Sequence, residues 1–172
     1  MSQPGYWSVE HFDTKKHHRE HFRCGYEALD TYIRHYASQD ETRNMARVFV
    51  ACPFGETTVK GYYTLSAASF ERDGLPLEVL RKLPRYPVPA TLIGRLAVDQ
   101  STQGQRLGEY LLMDIFNRVL KASQALAVYA IIADAKDDRA KTFYEKYGFQ
   151  PFIDQPFRLF IQMKTIAQLL KP

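Results

Sequence analysis

The sequence predicts a mixed α/β fold, and two stretches carry the prediction. In the first, Thr91 to Val98 is rich in β-branched and aliphatic residues and reads as a strand. It runs through the loop Gln103-Gly104-Gln105-Arg106 straight into a helix opening at Leu107. In the second, Ala127 to Ala133 is an unbroken apolar run, as a strand covered on both faces should be. A polar connection, Asp134 to Asp138, then leads into another helix.

The other elements follow in order. Trp7-Ser8-Val9 reads as an opening strand, and residues 26–40 as a helix with Leu29, Tyr32, Ile33 and Tyr36 on one face. Arg47 to Cys52 and Val59 to Phe70 read as paired strands around the turn Pro53-Phe54-Gly55-Glu56. Leu77 to Leu83 reads as a short helix between prolines. In the helix that opens at Leu107, the residues Leu107, Leu111, Leu112, Ile115, Phe116, Val119 and Leu120 form one apolar stripe. Glu109, Asp114, Asn117, Arg118 and Lys121 fill its other face. Asp137 is a candidate N-cap for a helix that carries Ala140, Phe143, Tyr144 and Tyr147 on one face, with Gly148 as its C-cap. Gln150 to Phe152 and Arg158 to Met163 close the sheet, and Ile166 to Leu170 reads as a terminal helix. No repeat, low-complexity tract or linker interrupts the chain, which reads as one domain over residues 1–172.

A strand–loop–helix joint turns a row of unpaired backbone N–H groups toward the positive end of a helix dipole, a place suited to phosphate. The spacing matches neither Gly-x-x-x-x-Gly-Lys-Ser/Thr nor Gly-x-Gly-x-x-Gly. Taken alone, the glycine spacing slightly favours a plain joint with no ligand. Phe143 and Phe149 read as aromatic core.

Composition bounds the function classes. With 172 residues, 45% of them hydrophobic, the chain can bury a sizeable core, and no apolar run is long enough to span a bilayer. The start, Met-Ser-Gln-Pro-Gly-Tyr-Trp, lacks the pattern of a signal peptide, so Cys24 and Cys52 read as buried free thiols and the protein as cytosolic. A net charge of +4 permits an RNA partner without requiring one. Lys15, Lys16, Arg19 and Arg23 cluster with His17, His18 and His21, while Arg81, Lys82 and Arg85 form a second group. His17 and His21 have zinc-binding spacing, but no third ligand is evident; surface histidines facing RNA or solvent explain them better, and no metal is expected.

A Gln-x-x-(Gly)-x-Gly pattern heads the long helix; some thirty residues on come a buried strand and Ala-x-x-Phe-Tyr-x-x-x-Gly-Phe. This arrangement resembles the GCN5-related N-acetyltransferase (GNAT) superfamily. Within it, the chain looks most like the acetyltransferase toxins of bacterial toxin–antitoxin pairs, which acetylate aminoacyl-tRNA. The narrower likeness rests on Phe22-x-Cys24-Gly25-x-x-x-Leu29-Asp30-x-Tyr32-Ile33, Gly61 to Ala67, Arg85-Tyr86-Pro87-Val88-Pro89 and Ile93 to Asp99. It spans roughly residues 7 to 164.

The resemblance implies a mixed, mostly antiparallel central sheet, splayed between its fourth and fifth strands and flanked by helices. It implies acetyl-CoA as co-substrate, with the pyrophosphate on the N–H groups of Gly104 to Gly108 and the pantetheine arm along Leu96, Ala97 and Val98. Gln103, Gln105, Arg106, Leu107 and Phe143 complete the coenzyme set. Tyr144, at the mouth of the split sheet, would protonate the departing sulfur; a backbone N–H near Val98 would stabilise the oxyanion. Partners implied are aminoacyl-tRNA, met by Lys15, Lys16, Arg19, Arg23, Arg81, Lys82, Arg85 and Arg95, and a DNA-binding antitoxin. A homodimer is also implied, with Tyr62-Tyr63 or Phe157 as interface aromatics. One departure stands out: Arg106 occupies a position where the family usually has glycine. At the start of a helix, Arg106 is expected to take a helical φ and fold its guanidinium over the diphosphate.

No general base stands beside these motifs; Asp99, Glu109 and Asp134 are candidates through water. An α-amine titrates near ~8 and lysine near ~10.4, so the missing base leans toward an α-amine acceptor. Three readings follow: an aminoacyl-tRNA acetyltransferase toxin, an acetyltransferase of a small amine or a protein N-terminus, and a non-catalytic acetyl-CoA-binding module. An acidic acceptor cleft would favour the second.

Overall fold

The structure, a computed structural model, describes residues 6–172; the start of the chain that carried the signal-peptide reading lies largely outside them. Seven strands form one sheet in the order β1-β2-β3-β4-β5-β7-β6. They are β1 (Trp7–His11), β2 (Arg47–Pro53), β3 (Gly61–Phe70), β4 (Val88–Val98), β5 (Ala130–Asp134), β6 (Gln150–Pro151) and β7 (Arg158–Gln162). The helices are α1 (Glu27–Thr31), α2 (Ala37–Thr42), α3 (Leu77–Leu80), α4 (Leu107–Ala122), α5 (Asp138–Lys146) and α6 (Met163–Leu169). The β1–β2, β2–β3, β5–β7 and β6–β7 pairs are antiparallel, and β4–β5 is parallel. The expected mixed α/β sheet is present. The β4–β5 register runs from Ala90↔Ala130 to Ile93↔Ala133, and Gly94–Val98 lie beyond it.

Two compact units make up the chain, Met1–Ser66 with Gly94–Ile115 and Ala67–Ile93 with Phe116–Pro172. Strands β3 and β4 and helix α4 each run through both. In the first unit a core of Phe12, Phe22, Ile33, Val48, Val50 and Tyr62 sits under α1 and α2. The opening turns of α4 cover β3 closely: a Cβ on Gly61 would lie 2.9 Å from Leu111 Cδ1. The second unit is built on Phe70, Val88, Ala90, Ile132, Phe152 and Phe160. The apolar stripe of α4 is buried from Leu107 to Val119, as the periodicity predicts. The Asp137 carboxylate accepts the Ala140 N–H at 2.8 Å, and Gly148 follows α5 at φ +101°. Both cysteines are buried and neither forms a disulfide among the described residues, and burial pushes the Cys52 thiol up to about 11.

Several expectations are corrected. Tyr62 and Tyr63 are 0% exposed and offer no interface. Their rings point to opposite faces, and both hydroxyls are satisfied, Tyr62 on Leu29 C=O at 2.7 Å and Tyr63 on Asp114 Oδ2 at 2.5 Å. The helix over 26–40 contains a π turn at Tyr32–Tyr36. The extra residue rotates the following chain, so Ala37 takes the buried place and Tyr36 is 52% exposed. His17 is no surface histidine: it is buried, its Nδ1 accepts the Asp13 N–H at 2.9 Å and its Nε2 faces Glu10 at 2.8 Å. That pattern places the ring proton on Nε2. Strand β5 starts at Ala130, three residues into the apolar run, whose first residue, Ala127, is exposed.

Candidate functional site

The glycine-bearing loop begins as a rigid structure. Asp99 directly follows β4, and its carboxylate accepts the N–H of Arg23 at 2.8 Å, the N–H of Ser101 at 3.0 Å and the Ser101 hydroxyl at 2.5 Å. Burial works to raise the Asp99 pKa, but the bonds from Ser101 and Arg23 and the charge of Lys60 more than offset it and hold it below the usual carboxylate range. Such a group is a poor proton acceptor. The Gln103 side-chain amide donates to Cys24 C=O at 3.1 Å and Val98 C=O at 3.2 Å.

Beyond this hinge the backbone turns twice through left-handed conformations, Gly104 at φ +84° and Arg106 at φ +61°. The expectation of a helical φ for Arg106 is therefore wrong. The physical reason is that α4 begins one residue later: Arg106 gives its C=O to the Tyr110 N–H at 3.0 Å, so it caps the helix from outside. The backbone N–H groups of Arg106, Leu107, Gly108 and Glu109 donate to no group among the described residues. A left-handed residue followed by a helical turn gathers successive N–H groups into a concave anion site. A Cβ on Gly104 would meet nothing within 4 Å, so the outer side of the loop is open. Arg106 is exposed, and its guanidinium makes no ion pair or hydrogen bond among the described residues. This loop fits a diphosphate: it offers four unpaired donors and one uncommitted cation.

Tyr144 lies on α5 in the second unit, where it is buried against Phe149 (centroids 5.1 Å) and the half-buried Phe143 (5.4 Å). Its hydroxyl makes no hydrogen bond among the described residues, and burial, with the charge of Asp134, raises its pKa well above that of an ordinary phenol. The group is therefore a protonated donor throughout the neutral range. Asp134 itself faces Arg158 at 3.5 Å.

The basic residues are unequally available. Lys16 is tied to Glu10 at 2.9 Å, Arg19 lies over the Phe12 ring at 5.0 Å, and Arg95 lies over the Tyr32 ring at 3.5 Å. The Arg23 backbone is held by the loop, while Lys15, Arg81, Lys82 and Arg85 are exposed. Among the described residues no group of three His, Cys, Asp or Glu side chains could hold a metal ion, and no helix is long and apolar enough to cross a membrane.

A feature that sequence reasoning missed is a cleft of about 720 Å³ in the first unit, lined by Glu27, Tyr32, Tyr36, Asp40, Arg43 and Arg95 among others. Two of its lining residues are bonded to each other, the Tyr32 hydroxyl donating to Asp40 at 2.8 Å. Tyr32 and the exposed Tyr36 of the π turn line it, and π turns carry no signature in the residue pattern.

Comparison with known proteins agrees with this geometry. The model of the Acetyltransferase (GNAT) domain matches residues 44–151. A tRNA-acetylating toxin of Mycobacterium tuberculosis (strain ATCC 25618 / H37Rv) is 35% identical over 149 residues, 87% of this chain and 88% of the relative. The structure of AtaT complexed with acetyl-methionyl-tRNAfMet has a TM-score of 0.89 at 31% identity, covering 96% of this chain and 99% of that one. A mutant AtaT toxin bound to the C-terminus of the antitoxin AtaR and acetyl-CoA gives 0.84 at 28% identity, covering 97% and 99%. The chain belongs to the acetyltransferase (GNAT) family.

Proposed function

We propose that this protein transfers the acetyl group of acetyl-CoA to the α-amine of an aminoacyl-tRNA and so blocks translation, as the toxin of a toxin–antitoxin pair. The observation that carries the reading is the likeness, over nearly the whole chain, to a tRNA-acetylating toxin and to AtaT bound to acetyl-methionyl-tRNAfMet. The likeness to AtaT held by the C-terminus of AtaR supports a cognate antitoxin here. Residues 1–172 act as one catalytic domain, in the cytoplasm where charged tRNA is found, and as a homodimer.

Acetyl-CoA, when bound, supplies an acetyl group activated as a thioester. The loop from Gln103 to Gly108 holds its pyrophosphate through backbone N–H groups, and Arg106 adds a guanidinium. Leu96, Ala97 and Val98 offer strand backbone to the pantetheine arm, with Phe143 as apolar packing. The incoming amine forms the C–N bond, the C–S bond breaks, and Tyr144 gives its phenolic proton to the departing sulfur. A thiol titrates near ~8.5, so the departing sulfur ends protonated at neutral pH; Tyr144 stays protonated to supply that proton, and the proton that the amine releases to water restores the phenol. An α-amine near ~8 is already partly neutral and loses its proton to water without a dedicated base. The exposed Lys15, Arg23, Arg81, Lys82 and Arg85 supply phosphate contacts to the RNA, with smaller shares from Lys16, Arg19 and Arg95, which are committed to neighbours.

The test is transfer of labelled acetyl from acetyl-CoA to pooled charged tRNA, with deacylated tRNA and free amines alongside. Label on charged tRNA alone supports the proposal. Glu27 and Asp40 in the cleft stand among Arg43 and Arg95, so it has no acidic excess to favour a small amine; label on free amines with none on tRNA would establish that second reading instead. Acetyl-CoA that binds but is never consumed would leave only the third, non-catalytic reading.

A further inference from the structure

We propose that Gln103 is a positioning residue that couples occupancy of the coenzyme loop to helix α1 and, through it, to the cleft that α1 lines. The strap Phe22–Cys24 is held from two sides. On the loop side, Arg23 donates its N–H to Asp99 at 2.8 Å and receives the Gln100 N–H on its C=O at 2.8 Å. Gln103 reaches one residue further, to Cys24 C=O. On the helix side, the Cys24 N–H donates to the buried Asp30 carboxylate of α1 at 2.8 Å, and the Arg34 guanidinium from the π turn donates to Phe22 C=O.

Helix α1 needs this support. It opens a continuous helical run that passes through the π turn to Thr42, and its N-cap Tyr26 makes no side-chain cap, so its first turn depends on bonds from outside the helix. Asp99 sits at the fixed end of the loop, bonded below to Lys60 C=O through its N–H at 2.8 Å. Gln103 is different. It bridges the two parts of the loop: its amide also reaches Val98 C=O, and it directly precedes Gly104, the first of the two left-handed residues. A phosphate that draws the loop's N–H groups together fixes Gln103, Gln103 fixes Cys24, and Cys24 fixes α1. Glu27, Ala28 and Thr31 of α1 then stand in one arrangement around the cleft.

Hydrogen exchange with coenzyme A as the probe tests this directly. Saturating coenzyme A should slow exchange of the amides of residues 27–36 by about fivefold or more, the lower end of usual coupling between sites. In Gln103→Met, which keeps the length of the side chain and removes both donated bonds, coenzyme A should bind without slowing those amides. Gln103→Ala repeats the test with a smaller side chain. The acceptor arm rests on the proposed function: with acetyl-CoA held saturating for each variant, the KM for aminoacyl-tRNA should rise about fivefold or more in Gln103→Met. Unchanged exchange in the wild type, protection retained in both variants, or an unmoved acceptor KM would each overturn the coupling. A wild type that acetylates no aminoacyl-tRNA defeats the proposed function instead, and the exchange arm then decides alone.

Discussion

Replacing Arg106 by glycine should make the protein more stable and its hold on acetyl-CoA weaker. Arg106 sits at φ +61°, where a side chain costs about 1–2 kcal/mol. Glycine removes that cost but gives back about 0.4–1 kcal/mol through the freedom it adds to the unfolded chain. The net gain is about 0.5–1 kcal/mol, or roughly 1–4 °C in Tm for a chain of this size. Binding moves the other way. An exposed guanidinium against a phosphate contributes about 1 kcal/mol in water, so its loss should weaken the Kd about fivefold at low salt and less at high salt. Arg106→Ala separates the two effects, since alanine keeps the strained backbone and loses only the charge. It should bind acetyl-CoA as weakly as the glycine variant and gain no stability. Scanning calorimetry reads the first quantity and isothermal titration with acetyl-CoA the second. A lower Tm for Arg106→Gly would refute the strain argument; wild-type affinity in Arg106→Ala would refute the guanidinium's role.

Three further outcomes follow from the same geometry. Tyr144→Phe should lower kcat by about 10²–10⁴-fold with the Kd for acetyl-CoA unchanged. Because burial raises the Tyr144 pKa, the acid stays protonated as pH rises; kcat/KM should climb through about pH 8 with the amine and show no downturn before about pH 9, and an earlier downturn removes Tyr144 as the acid. Asp99→Ala should cost about 1.5–3 kcal/mol at neutral pH, the scale of hydrogen bonds to a charged group. Its folded pKa lies below the unfolded value of about 3.9, so the stabilisation is complete above that value and lost as pH falls through the folded pKa. In urea denaturation the gap to wild type should therefore narrow toward about pH 2, and a constant gap contradicts the assignment. Gly61→Ala puts a Cβ 2.9 Å from Leu111 Cδ1, 3.1 Å from Leu107 Cδ2 and 3.3 Å from Ala97 C=O. The leucine ends can give and the carbonyl cannot, so stability should fall by about 1–2 kcal/mol, and an unchanged Tm would show that β3 and α4 have slack.

What could be read from the sequence was whatever rests on period and cap. The stripe from Leu107 to Val119, the Asp137 cap and the Gly148 terminus are all local, and all are present in the structure. Reading failed where a local rule is outvoted by contacts distant in the chain. The homodimer that the resemblance implies offers Tyr62-Tyr63 as interface aromatics, but both are buried, and Leu29 and Asp114 receive the two hydroxyls from elements far off in sequence. His17 looked solvated among lysines, yet a tight turn through Asp13 folds it under Glu10. Tyr36 was misplaced by a single added residue in a helical turn. At Arg106 the family position should have outweighed the residue type: glycine is usual there because the loop needs a positive φ, and arginine adopts it.

The two thiols have a practical side. With Cys52 pushed up to about 11, only about one thiolate in ten thousand is present at neutral pH, so its sulfur attacks disulfides and maleimides very slowly. Cys24 is likewise buried and its Sγ donates to Tyr26 C=O at 3.6 Å. A single cysteine introduced at Phe54, 77% exposed on the β2–β3 turn, would then be labelled almost alone. The native chain thus serves as its own low-background scaffold for a fluorophore or spin label, with no need to strip sulfur from the core beforehand.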